Sequence, residues 1–167
     1  MEHAIRRHIK VNMQNDPALF TKFNERLESI IRQYQCHWDM LVQELEKMRG
    51  EIKQGRENKE SLLPTYQMPF YDIILMYAYE EQAVDVKTGQ KVTGLVKEIV
   101  EELQKTIDVI NFWQKQTRVR KLEGIIEDIL SFSGVNEIEK DYKRITTEIL
   151  NLARRRHENL VRNKPND

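Results

Sequence analysis

The sequence contains one cysteine, Cys36, in 167 residues, so an internal disulfide framework is excluded. The amino terminus carries polar and basic residues where a secretory leader would be apolar, which predicts a cytoplasmic protein. Six glycines and four prolines are too few for a chain of short strands joined by many turns. No apolar run approaches the roughly 18 residues that would suggest a membrane span, so a soluble protein without membrane contact is expected. Lys plus Arg balance Asp plus Glu at 27 each, so no net field draws the chain to nucleic acid or an anionic surface. Any such attraction must come from local patches. Glycine-rich phosphate loops are also missing: neither G-x-x-x-x-G-K-[ST] nor G-x-G-x-x-G occurs, which argues against nucleotide hydrolysis by this segment.

What is present is charge, at 32% of residues, arranged along helical stripes. The expected fold is all-α, an irregular bundle of five to seven helices forming a single domain over residues 1–167. Ile5, Ile9 and Met13 fit a short first helix with nothing ahead of it to cap it, as though the chain were a fragment cut at Met1. Asp16-Pro17 is a helix start, and Phe20, Leu27, Ile31, Tyr34, Trp38, Leu41, Leu45, Met48 and Ile52 then form one seam. That seam predicts a single long helix over roughly 17–52, fraying at Gly50 and Gly55.

Residues 53–63, "KQGRENKESLL", read as an exposed linker, and a buried hub helix, "FYDIILMYAYEEQA", is expected after Pro64 or Pro69. "DVKTGQKVTG" reads as a loop, with a small hairpin at Thr88-Gly89 as an option. Val92, Val96, Ile99, Leu103, Ile107 and Ile110 make one stripe with Trp113 at its margin. Val119, Leu122, Ile126 and Ile129 make another, rotated from it by more than about 90° on one ideal helix. Two stripes so rotated require a break, placed at 114–118 with Thr117 as its cap, and a second break is expected at Ser131 to Gly134. A last helix uses Ile138, Tyr142, Ile145, Ile149 and Leu152, before a solvated tail, "ARRRHENLVRNKPND".

Residue chemistry offers little catalysis. His3 and His8 fall on different sides of a helix, His37 and His157 lack a ligand partner one turn away, and Cys36 and His37 are adjacent and cannot share a proton. Cys36 is expected to be a packing thiol beside an exposed histidine. Glu51-Ile52-Lys53 mimics part of a nuclease motif, but at the end of a helix. Glu80-Glu81 and Glu101-Glu102 are expected to form solvated faces. Three basic groups remain: Arg6, Arg7 and Lys10; Lys115, Arg118, Arg120 and Lys121; and Arg154, Arg155, Arg156, Arg162 and Lys164. Each is a candidate for partner or phosphate contact. The second group follows Trp113, and the stretch reads first as a joint between packed helices and second as a phosphate grip.

The ordered succession "MEHAIRRHIKVNMQNDPALFTKFNERLESII", "LPTYQMPFYDIIL" and "VKEIVEELQKTIDVINFWQKQTRVRKLEGIIEDIL" resembles the carboxyl-terminal helical region of the restriction (motor) subunit of type I restriction-modification enzymes. The resemblance covers nearly the whole chain. It is carried by the His-Ile element ahead of Asp16-Pro17, by Pro69-Phe70-Tyr71-Asp72, and by Asp108 through Trp113 to Arg120. It implies that an intact parent subunit is an ATP-dependent type I site-specific deoxyribonuclease, with nuclease and motor domains, ATP and Mg²⁺ all outside this segment. For this segment it implies no catalytic, cofactor-binding or metal residue. The implied role is docking onto the methyltransferase and specificity subunits, with the subunit's own motor domains as further neighbours. A DNA-contacting module that guides duplex to the motor is the alternative.

Overall fold

The computed structural model describes residues 1–56, 62–80 and 84–165. Every regular element among them is helical, which agrees with the all-α expectation: α1 (Glu2–Asn12), α2 (Pro17–Tyr34), α3 (Trp38–Gln54), α4 (Met68–Tyr79), α5 (Val86–Ile107), α6 (Gln116–Ser131), α7 (Asn136–Arg155) and α8 (His157–Arg162), with a 3-10 turn at Phe112–Gln114. The chain divides into two compact units, Met1–Lys59 and Glu60–Asp167.

In the first unit, the Asp16 carboxylate accepts from the Leu19 N–H and Pro17 opens α2, as the sequence predicts. The single long helix does not form. The chain leaves helical geometry at His37 (φ −128°, ψ 78°), and α2 and α3 fold back on each other as a hairpin. A straight helix over 17–52 would leave its whole apolar seam in need of a partner. Folding it in half supplies one, because Leu27 and Ile30 then share a core with Leu41, Leu45, Met48 and Ile52, joined by Ile5 and Ile9 of α1. Two ion pairs hold the register. Arg26 pairs with Glu51, and Arg56 grips Asp16 through two bonds of 2.6 and 2.7 Å. The fold places Trp38 and Cys36 at the hairpin tip, where Trp38 is 74% exposed and the thiol is open to solvent, not packed.

Residues 53 and 54 complete α3, and most of the remaining expected linker, 57–61, lies outside the described residues. Glu81 of the expected acidic pair also lies outside them. In the second unit, α4 begins around Pro69 and buries Phe70, Ile73 and Ile74 against α7 and α5. The expected loop "DVKTGQKVTG" is mostly helix instead: Asp85 caps α5 by accepting from the Thr88 N–H at 3.0 Å and the Thr88 hydroxyl at 2.7 Å. Val92 sits on the buried stripe and extends the period back to the cap, which outweighs the two glycines.

From there Val92, Val96, Ile99, Val100, Leu103 and Ile107 are fully enclosed, and Leu122, Ile126 and Leu130 of α6 and Ile138, Ile145 and Ile149 of α7 meet them in one core. The break at Ser131 to Gly134 forms as expected. Gly134 takes φ +67°, its N–H donating to Glu139 and its carbonyl accepting from Lys91. The tail is not simply solvated. Leu160 of α8 is completely buried against α5, where the buried Gln104 amide donates to its carbonyl at 2.9 Å. Splitting the long helix and folding the tail account for eight α-helices among the described residues where five to seven are expected.

Candidate functional site

The joint between α5 and α6 is built from residues that resist helix. Asp108 departs from helical angles (φ −73°, ψ 53°), two β-branched residues follow, and Asn111 adopts the left-handed region at φ 57°, ψ 33°. The Val109 N–H donates to the Ile107 carbonyl and the Phe112 N–H to the Val109 carbonyl, which turns the chain into the 3-10 segment. The break therefore spans 108–115, earlier than the expected 114–118. Lys115, not Thr117, occupies the cap position of α6, and its side chain makes no bond to the helix. Because α5 stops at Ile107, Ile110 does not complete the buried stripe: it is 84% exposed, with Val109 at 38%.

Phe112 turns into the core and Trp113 stays at its margin. The two rings meet edge to face at 5.1 Å. Trp113 Nε1–H donates to His157 Nδ1 at 3.3 Å. The Arg154 guanidinium lies over the indole, 5.4 Å from the ring centroid. Trp113 thus ties the joint to the α7–α8 corner, and a cleft of about 430 Å³ opens between residues 108–114 and His157. Lys164 closes a further link to Asp108 at 3.1 Å.

Not all of the candidate cations belong to this site. In the first group, Arg6 is held by Glu28 and Glu2, which raise its pKa further. Lys115, Arg118, Arg120 and Lys121 are exposed and form no ion pair with any described residue. Of the arginine run, Arg154 is drawn to Trp113, Arg155 is exposed, and Arg156 is half-buried at the α7–α8 junction, where its N–H donates to the Leu152 carbonyl. Sequence reasoning found Trp113 and the cations, but it missed His157, whose partner is 44 residues away, and assigned Ile110 to the core.

No group of three or more His, Cys, Asp or Glu side chains gathers to hold a metal among the described residues. Nor is any helix among them long and apolar enough to cross a membrane. The joint has apolar surface, cations and a shaped cleft, a composition suited to binding.

Comparison with known proteins agrees with the resemblance drawn from the sequence. Residues 1–159 match a family model described as type I restriction enzyme HindI endonuclease subunit-like, C-terminal. The chain is also 28% identical over 141 residues to the "Putative type I restriction enzyme MjaIXP endonuclease subunit" of Methanocaldococcus jannaschii, a match covering 82% of this chain and 13% of that protein. The chain thus spans a small part of the length of the curated relative it matches. No solved structure matches it. With the family model spanning nearly its full length, the chain belongs to the family of carboxyl-terminal regions of type I restriction enzyme endonuclease subunits.

Proposed function

We propose that this chain is a non-catalytic assembly domain, which docks an ATP-dependent translocase and endonuclease subunit onto its methyltransferase and specificity partners. The observation that carries this reading is the α5–α6 joint. An ordered turn holds Ile110 out in water beside four cations that form no ion pair with any described residue. Exposed apolar side chains rimmed by charge are the ordinary composition of a protein-binding surface. Family membership supplies the setting, since a restriction enzyme subunit works within a multisubunit complex. In this reading ATP and Mg²⁺ act in other parts of the intact subunit, and the complex works in the cytoplasm.

The same cations support a second reading, in which the segment contacts duplex DNA on its way to the motor. The two readings separate in one experiment: size-exclusion chromatography with light scattering of the full chain, mixed with its cognate modification complex or with a short duplex, across a salt series. Docking predicts co-migration with the modification complex and none with DNA at physiological salt. Binding to duplex alone, weakening steeply as salt rises, contradicts docking and supports the second reading.

A further inference from the structure

Building on the docking reading, we infer that the α5–α6 joint receives an acidic protein segment that carries an apolar anchor side chain. The cleft between residues 108–114 and His157 takes the anchor, and the cations that follow it in α6 face the carboxylates. Three features of the joint support this assignment. Its cleft is lined by the apolar and aromatic Val109, Ile110, Phe112 and Trp113 beside the polar Asp108, Asn111, Gln114 and His157, with Ile110 and Val109 exposed. Its charge is one-sided: Lys115 at the cap and Arg118, Arg120 and Lys121 in α6 precede Glu123 with no acidic residue among them, and the helix amino end is itself positive. Like charges so placed raise one another's energy, and a partner bearing carboxylates relieves that repulsion. The nearby acid Asp108 is already paired with Lys164.

The same geometry disfavours a nucleic-acid occupant. A strand would use an open aromatic platform for its bases. Trp113 is only partly exposed, its N–H is committed to His157 and Arg154 lies over its ring. The prominent exposed side chain is an isoleucine, which offers nothing to a phosphate backbone.

The test uses the full chain and the cognate modification complex, with a photo-crosslinking residue at position 110 and, as control, at Phe132, which is equally exposed but follows α6. Complex formation is read first by light scattering and the adduct is then mapped by mass spectrometry. Expected is an adduct from position 110, and none from 132, within a partner segment that is net acidic and contains large apolar residues. Ile110→Asp is expected to weaken binding by about tenfold or more. Arg118→Glu with Lys121→Glu is expected to weaken it similarly and to flatten its salt dependence. Both changes lie on exposed positions, and an unaltered circular dichroism melt shows that they fold. A complex that forms with wild-type affinity despite these changes, or an adduct in a basic or polar segment, overturns the inference while the docking reading stands. An adduct to DNA overturns it in favour of the second reading. No complex at all removes the docking reading and the inference with it.

Discussion

Asn111 shows how much one residue sets at the joint. Its left-handed backbone leads the chain into the 3-10 segment, and asparagine tolerates that conformation better than any branched side chain. Asn111→Gly is therefore expected to leave stability close to wild type. Asn111→Val is expected to cost about 1 to 3 kcal/mol in a denaturant titration, because valine strains in that region. Equal effects from the two variants would show that the turn is not held by its backbone angle. At the far end of the chain, Leu160 is wholly enclosed, so Leu160→Ala is expected to lower stability by about 2 to 5 kcal/mol through lost burial and the cavity left behind. A loss near zero would mean that α8 does not pack in solution.

At the scale of elements, the sequence was most legible where period and cap coincide. Asp16-Pro17, the stripe of α5 as far as Ile107, the stripe of α6, the stop at Gly134 and the core face of α7 all form where their patterns place them. The misses share one cause: a periodic pattern says which residues want burial but not what buries them. The seam from Leu27 to Ile52 is continuous in sequence, yet it folds back on itself because its best available partner is its own other half. The expected start of α5 falls late because the glycines of "DVKTGQKVTG" mask a good cap at Asp85. The tail reads as solvated because Leu160 and Val161 are a short apolar pair among charges, and only the distant partner Gln104 reveals the place of Leu160. Within the site, the cations were legible one by one, whereas the Trp113–His157–Arg154 cluster depends on long-range packing.

The cap at Asp85 also makes a pH prediction. Bonds from the Thr88 hydroxyl, and then from the Thr88 N–H, hold the Asp85 carboxyl below its ordinary value. A carboxyl depressed in the folded state stabilises above its unfolded pKa, of about 4, and that contribution is lost as pH falls through the folded value. Thermal melts of Asp85→Ala and wild type are thus expected to differ near neutral pH, with the variant less stable. The difference should shrink as pH falls from neutral through and below the ordinary carboxyl value. A gap that is constant across this range would assign the cap's effect to the helix backbone and not to the charge.

At the scale of the whole molecule, two apolar cores, one in each compact unit, turn a chain with no net charge into a set of surfaces. Neutrality overall coexists with a local excess of cations at the α5–α6 joint, where no acidic residue falls between Asp108 and Glu123, whereas just before it Lys105 of α5 pairs with Glu101 and Glu102. That local excess, beside the exposed Ile110, is what makes the joint the candidate docking surface. The most direct measurement is amide hydrogen exchange on the full chain, alone and with the cognate modification complex. Docking through the joint predicts added protection across residues 108–121 when the complex is present. Unchanged exchange there, with protection appearing in another region or nowhere, would contradict it.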